Sequence, residues 1–310
     1  MSNNDNFLAK ATSFTTNLIT GGTAASIAKT MNAPLERVKL INQTNPGRYN
    51  GLVDCLVSLP KEEGPFAYWR GNGANVLRYF PTQALNFAFK DEFKKTFMPL
   101  GQKNYSYTQQ FLRGLLAGGG AGASSLIFVY PLDLARTRMT TDLGKGAEKT
   151  YSGLSDCLKK SYAEGGVKSL YRGFNISVIG IIPYRAVYFG GYDLLKSMFM
   201  KDPKNTSFWF KWFLSQSNTI CAQYITYPID TVRRYLMVAG KVDKSGKKAR
   251  EYKGTWDCAK VVYAEKGFVG LYRGSLANTY RATGAALCMV FYDEITLFLK
   301  KREEDAKKNQ

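Results

Sequence analysis

One six-residue pattern occurs three times in this chain: a proline, an acid two residues later and a base five residues later. The three copies begin at Pro34, Pro131 and Pro228, at equal intervals of 97 residues. A fixed period of this kind is the signature of a repeat architecture. The sequence therefore predicts a tandem triplication of one unit, with repeats at 1–105, 106–204 and 205–310.

Two glycine motifs and a cysteine keep the same period. A Tyr-x-Gly motif is followed by a cysteine four residues after its glycine, and an aromatic-Arg-Gly motif comes later in each copy. Because three equivalent cysteines lie in separate repeats, they indicate helix packing and not a disulfide framework. The residues are Gly51, Gly153 and Gly254, then Cys55, Cys157 and Cys258, then Gly71, Gly173 and Gly274.

The apolar stretches of the chain predict a membrane protein. The most apolar of them, Phe111–Tyr130, carries one charge and has about the 20 residues that a membrane-spanning helix requires. Isolated charges or prolines interrupt the others at matching places, and charges inside a membrane usually face a bundle interior or a water-filled cavity. The mean hydropathy of −0.25 would, taken alone, also fit a soluble helical protein.

Each repeat is predicted to form a long helix containing the proline, a short amphipathic helix and a second long helix. The expected fold is an all-α membrane protein with pseudo-threefold symmetry, six transmembrane helices and three short helices on one membrane face. Glycines four residues apart, at Gly114, Gly118 and Gly122, predict a close approach of helices. The predicted helices are Thr12–Gln43, Leu52–Glu62, Asn72–Phe97, Gln109–Asp142, Leu154–Ala163, Asn175–Met200, Ser207–Ala239, Thr255–Ala264 and Ser275–Lys300.

The formal net charge of +19 suits nucleic acid, anionic lipid or an anionic small solute as a partner. The sequence has no recognition helix, zinc-ligand spacing or aromatic platform, so nucleic acid is not expected. Histidine is absent, which removes the commonest general base and metal ligand. With neither a nucleophile–base pair nor a Walker-type loop, the sequence predicts a transporter without metal or cofactor, and not an enzyme.

The repeated proline motif predicts a ring of ion pairs, which we call the first gate. A proline inside a spanning helix removes one backbone hydrogen bond and kinks the helix, so three such helices converge at one end. Acids and bases of neighbouring helices then pair there. The alternative is a static ring that only holds the bundle together. The acids are Glu36, Asp133 and Asp230, the bases are Lys39, Arg136 and Arg233, and Gln43 lies one turn beyond Lys39.

A second acid–base set, the second gate, follows the spacing Asp-x-x-Lys on the second long helix of each repeat. Its members are Asp91, Lys94, Asp193, Lys196 and Asp293. In the third repeat Thr296 stands where the base belongs. Three acids and two bases form at most two pairs, so the second gate is expected to be the weaker one.

Positions that differ among the repeats predict where an asymmetric solute binds. Five residues before each proline stand Lys29, Leu126 and Gln223. Seven residues after the glycine of each Arg-Gly motif stand Arg78, Gly180 and Arg281. Three unpaired cations at mid-helix depth require an anionic ligand, because a bare buried charge is costly. Arginine suits phosphates, and an apolar slot beside a tyrosine suits a planar base, although ordinary helix packing is the alternative for the slot. The predicted substrate contacts are Lys29, Arg78, Arg281, Gly180, Ile181, Tyr184 and Asn86.

The pattern Pro-x-[Asp/Glu]-x-x-[Lys/Arg] in three copies resembles the signature of the mitochondrial carrier family over nearly the whole chain. Arg78–Asp91 and Tyr184–Asp193 are similar to stretches of its ADP/ATP carrier branch. The resemblance implies a monomeric six-helix carrier in the inner mitochondrial membrane that exchanges ADP for ATP by alternating access. It places the first gate toward the matrix and the second toward the intermembrane space.

The resemblance also implies site residues and a bound lipid. Substrate contacts carry over to Lys29, Arg78, Gly180, Ile181, Tyr184 and Arg281. Cardiolipin and other inner-membrane lipids are expected at glycine turns that expose helix N-termini. Those turns contain Gly51, Gly71, Gly153, Gly173, Gly254 and Gly274.

The chain departs from the ADP/ATP carrier pattern in two places. Where those carriers have Arg-Arg-Arg-Met-Met-Met, this chain has Arg233–Val238, and three of the six positions match. Thr296 replaces the third base of the second gate. Two alternatives therefore stay open: a carrier-fold subunit of a larger respiratory complex, and a carrier of another anion or of protons.

Overall fold

The computed structural model of the protein describes residues 3–45, 47–97, 106–144, 149–200, 206–242, 246 and 248–284. The long helix, short helix, long helix order that was predicted for each repeat is confirmed in this part of the chain. A 3₁₀ helix, Pro65–Trp69, follows α2, and α10 begins at residue 275 and is described to 284. The other helices are α1 Asn3–Thr44, α2 Leu52–Glu63, α3 Asn72–Phe97, α4 Tyr107–Thr140, α5 Leu154–Ala163, α6 Gly166–Leu170, α7 Phe174–Phe199, α8 Phe208–Val238 and α9 Thr255–Leu271.

Two predicted helix boundaries are wrong by several residues. Helix α1 begins at Asn3 instead of Thr12, because no glycine or proline interrupts the chain between them. Helix α9 runs to Leu271 instead of ending at Ala264. Gly267 has a φ of 64° and a ψ of −170°, so α9 consists of two segments joined at this glycine. The second segment of α9 is the counterpart in repeat three of the 3₁₀ helix in repeat one and of α6 in repeat two. None of these three short segments was predicted from the sequence.

One helix within the described residues, Thr108–Thr140, is long and apolar enough to cross a membrane by length and composition. It contains the apolar stretch singled out in the sequence. The other long helices fall short of this criterion because polar and charged residues interrupt their apolar faces. That pattern is the one expected where helices line a polar interior.

A buried cysteine anchors each short helix to the proline-containing helix of its own repeat. Cys55 packs against α1, Cys157 against α4 and Cys258 against α8. All three are fully buried free thiols. This packing role was predicted from the repeat period. The packed cysteines hold each short helix against the proline-containing helix of its repeat.

The Arg-Gly glycines join each repeat to the next. Gly71, Gly173 and Gly274 have φ values of 82°, 81° and 83°, which favour glycine. A β-carbon at Gly71 would overlap Thr140 of α4, and one at Gly274 would lie 3.0 Å from the carbonyl oxygen of Lys39 in α1. Gly173 lies against α8 in the same way. The contacts therefore run from repeat one to two, two to three and three back to one.

Candidate functional site

The six predicted side chains of the first gate form a ring of three ion pairs. The pairs join α1 to α8, α4 to α1 and α8 to α4, so each proline-containing helix is linked to both others. The spacing of acid and base within one motif accounts for this ring, since both side chains lie on the same end of the helix. The pairs are Lys39 with Asp230, at 2.9 Å between Nζ and Oδ2, Arg136 with Glu36, and Arg233 with Asp133.

Polar neighbours support two of the three gate acids. Gln43 Nε2 lies 3.5 Å from Asp230 Oδ2 and donates to Thr231 Oγ1 at 2.8 Å. Asn75 Nδ2 donates to Glu36 Oε2 at 3.0 Å. The predicted position of Gln43 one turn beyond Lys39 thus brings its amide to the ring.

Asp133 is shared by several cations. Its side chain is 3 % exposed and pairs with Arg233. Arg136 and Arg78 lie 3.8 and 3.7 Å from its Oδ1. The prediction that Arg78 is unpaired is therefore wrong, because α3 and α4 pack together and bring Arg78 to a gate acid. Removing one partner of such a buried pair costs about 3–5 kcal/mol.

The residues of the second gate lie at the opposite end of the bundle. Asp91, Lys94, Asp193 and Lys196 are all exposed. Neither Lys94 nor Lys196 forms an ion pair with any residue that the structure describes. Asp293 and Thr296 lie outside the described residues. The complete ring of ion pairs closes the bundle at the end where the prolines of α1, α4 and α8 lie.

A cavity of about 450 Å³ lies between α7, α8 and α10. Four predicted substrate contacts line it: Gly180, Ile181, Tyr184 and Arg281. The rings of Tyr184 and Tyr188 stack with centroids 6.0 Å apart, which extends an aromatic surface along α7. The cavity size suits a small organic solute, and its wall combines apolar side chains with a guanidinium.

Three other predicted contacts lie outside this cavity lining. Lys29 Nζ lies 3.4 Å from the carbonyl oxygen of Asn75 and 4.2 Å from the ring centroid of Tyr79. Arg78 lies beside the first gate. Asn86, on α3, makes no hydrogen bond through its side chain within the described part of the chain. Lys29 and Arg281 have no carboxylate partner within 4.0 Å among the described residues.

The prediction did not include Arg185, which lines the cavity next to Tyr184. A β-carbon at Gly118 would overlap its guanidinium, and one at Gly122 would lie 3.3 Å from Nη2. The glycine spacing on α4 did indicate a close approach. An arginine side chain, and not only a helix backbone, occupies the groove that these glycines form.

Each repeat has one further link, which joins its proline-containing helix to a residue within or directly after its short helix. In repeats one and two it is an arginine–glutamate pair: Arg37 with Glu63 at 2.8 Å and Arg138 with Glu164 at 2.7 Å. In repeat three Lys266 Nζ donates to the Tyr235 hydroxyl at 2.7 Å and lies 4.5 Å from its ring centroid. At Tyr235, where the chain departs from the ADP/ATP carrier pattern, a hydrogen bond from an ammonium to a neutral hydroxyl therefore takes the place of a pair of opposite charges.

We expect the double substitution Tyr235→Arg and Lys266→Glu to raise the thermal midpoint of the protein by a few degrees. It pairs an arginine with a glutamate at the two positions where Lys266 now donates to Tyr235, and about 1 kcal/mol of added stability corresponds to about 2–4 °C. Tyr235→Arg alone is expected to lower the midpoint, because it places a guanidinium beside Lys266. The measurement is thermal unfolding in detergent, and a double variant whose midpoint does not exceed that of the wild type would contradict the expectation.

A second charge cluster lies just beyond the end of α4, outside the long helices. The buried carboxylate of Asp142 binds Lys241 Nζ at 2.7 Å and also Arg70. Burial alone would raise the pKa of Asp142, but Lys241 and Arg70 outweigh it and hold that pKa below its usual value. Asp142 is therefore charged at neutral pH and joins residues of all three repeats.

The repeats, the ring of ion pairs and the cavity between the helices together define a carrier for a small solute. A family comparison agrees: the model of the mitochondrial carrier protein family matches residues 10–100, 107–203 and 204–303. The chain belongs to the mitochondrial carrier protein family, as its proline motifs predicted. It is accordingly a transporter and not an enzyme.

Individual relatives match almost the whole chain. ADP/ATP translocase 4 of Homo sapiens is 48% identical over 94% of this chain and 93% of its own length. ADP/ATP translocase 2 of Rattus norvegicus is 48% identical over 92% of this chain and 97% of its own length. ADP/ATP translocase 3 of Bos taurus is 47% identical over 92% of this chain and 98% of its own length.

Proposed function

We propose that this carrier exchanges ADP for ATP across the inner mitochondrial membrane by alternating access. One observation carries the proposal: a single cavity is lined both by Arg281 and by the apolar wall of Gly180, Ile181 and Tyr184. A guanidinium binds phosphate through paired hydrogen bonds, and an aromatic ring beside a flat apolar wall accommodates an adenine ring. The names of the relatives, which are ADP/ATP translocases, support the same solute.

Arg78 provides a link between solute and first gate in this proposal. Its Nη1 lies 3.7 Å from Oδ1 of Asp133, a gate acid. A phosphate that binds Arg78 competes with Asp133 for the same guanidinium, so binding weakens the ring that must open. Lys29 and Asn86 are proposed to contact the solute on the α1 and α3 side of the bundle.

We further propose that repeats 1–105, 106–204 and 205–310 form one multi-pass membrane domain that works as a monomer. Large apolar side chains that face outward support this arrangement, because an apolar exterior suits lipid. On α7 they include Ile179, Ile182 and Phe189, which are 57, 52 and 51 % exposed. Membership of the mitochondrial carrier protein family supports a location in the inner mitochondrial membrane.

Cardiolipin is proposed as a bound lipid at the glycine turns. Gly51, Gly153 and Gly254 directly precede α2, α5 and α9, so free backbone N–H groups lie at these helix starts. A cavity of about 410 Å³ between repeats two and three is lined by Gly173, Gly254 and Arg172. A phosphate head group there would meet both backbone donors and a guanidinium.

The test is exchange by the purified protein in liposomes. Vesicles loaded with ATP are expected to take up labelled ADP, and empty vesicles are not. ATP carries about one more negative charge than ADP, so an imposed potential should bias the exchange by about 2.3 kcal/mol per 100 mV. Uptake that does not depend on internal nucleotide would contradict the proposal.

The replacement of an arginine–glutamate link by Tyr235 and Lys266 favours a second candidate, a carrier-fold protein held in a larger respiratory complex. Stable co-purification with such a complex, together with no exchange of nucleotide, would support it. A carrier of another anion would instead be stabilised against heat by phosphate or a carboxylate but not by ADP, because only a true ligand shifts the unfolding equilibrium.

A further inference from the structure

The side chain of Gln223 lies on the wall of the solute cavity but is not among the predicted substrate contacts. Gln223 belongs to α8 and stands in the register that repeat one fills with Lys29 and repeat two with Leu126. It lines the same cavity as Arg281. Because this equivalent position has a different residue in each repeat, its side chains can contact an asymmetric solute while the residues common to all three repeats stay the same.

Hydrogen bonds fix which way the Gln223 amide is oriented. Arg281 can only donate, and its Nε and Nη2 lie 3.2 and 3.0 Å from Oδ1 of Asn278. The other end of the Asn278 amide is therefore Nδ2, which donates to Oε1 of Gln223. Nε2 of Gln223 makes no hydrogen bond to any residue that the structure describes. One amide donor is thus left over on the cavity wall.

Neighbouring hydrogen bonds hold this amide on a fixed scaffold. Thr279 Oγ1 lies 3.3 Å from the Tyr224 hydroxyl, one residue beyond Gln223. Gln216 Nε2 donates to Thr283 Oγ1 at 3.3 Å. Helices α8 and α10 are therefore joined at two levels, and Gln223 and Tyr224 together form one of them. A donor that is already held in place loses little side-chain freedom when a ligand binds.

We propose that Gln223 is a further substrate-binding residue, whose Nε2 donates to a phosphate oxygen of the nucleotide that Arg281 binds. This inference rests on the proposed exchange of ADP and ATP. Phosphate oxygens accept several hydrogen bonds at once, so a guanidinium and a neutral amide can bind the same group. Through Asn278 the amide of Gln223 is also tied to Arg281, so both donors approach the phosphate as one unit.

Two substitutions separate a direct contact from an indirect one. Gln223→Met keeps the length of the side chain but removes donor and acceptor, and we expect it to raise the KM for ADP about tenfold with little change in kcat. Gln223→Lys restores a donor without restoring the acceptor for Asn278, and its KM should return toward the wild-type value. Cys221→Ser, at an exposed position on the same helix, is the matched control and should leave KM unchanged.

The assay is uptake of labelled ADP into ATP-loaded liposomes, with thermal unfolding without nucleotide as the check on folding. An unchanged KM in Gln223→Met would overturn the proposal. Equal increases in Gln223→Met and Gln223→Lys would overturn it too, because Gln223 would then act only as the acceptor for Asn278. Gln223→Ala gives the same comparison if the methionine variant does not fold. No exchange by the wild-type protein would instead contradict the proposed function itself.

Discussion

Replacing Arg281 with alanine is expected to reduce ADP/ATP exchange in liposomes by about 100-fold or more, a loss of about 2.7 kcal/mol of binding. Arg281 is a predicted substrate contact that lines the cavity, and it has no carboxylate partner among the described residues. Its charge is therefore available to a phosphate. Arg281→Lys should recover only part of the activity, because lysine cannot reproduce the planar arrangement of donors.

Arg250→Ala is the matched control for this experiment. Arg250 pairs with Glu265 on the surface, and the two side chains are 54 and 51 % exposed. Surface pairs of this kind contribute little, so exchange should stay near the wild-type rate. Full exchange by a folded Arg281→Ala protein would reject the role assigned to this cation.

Asp133→Asn is expected to lower the thermal midpoint of the protein by about 10 °C. The substitution leaves Arg233 without its charged partner at a buried site, which costs about 3–5 kcal/mol, and each kcal/mol corresponds to about 2–4 °C. Arg136 and Arg78 lose the same carboxylate. Thermal unfolding in detergent without nucleotide measures the effect.

The corresponding change at the second gate, Asp91→Asn, should move the midpoint by no more than a degree or two. Asp91 is exposed, and it forms no ion pair with a described residue. Equal shifts for Asp91→Asn and Asp133→Asn would show that the two gates contribute alike to this state, against the geometry found here.

The fold and the first gate could be predicted from the sequence because both depend on short spacings that recur three times. Acid and base positions relative to Pro34, Pro131 and Pro228 determine which helix ends carry them. The contact between Arg78 and Asp133 could not be predicted in this way. It joins α3 to α4, and spacing within one repeat does not show which neighbouring helix a side chain meets.

The solute cavity was predicted only in part for a similar reason. The register of Gln223 was evident from the repeats, but its bond to Asn278 depends on how α8 and α10 pack. Gly118 and Gly122 indicated a close approach of helices without showing that the side chain of Arg185 lies against them. Comparing the three repeats identifies positions where the residue type differs. The side chains that those residues contact depend on how the helices of different repeats pack together.

The glycine junctions impose a condition on how the protein assembles. Two of the three junctions connect repeats that follow one another along the chain, but the third joins Gly274 to α1 without any connecting segment. Interfaces of this head-to-tail kind are complete only when the circle closes. During synthesis the surface of α1 that contacts Gly274 therefore stays uncovered until the last repeat has left the ribosome.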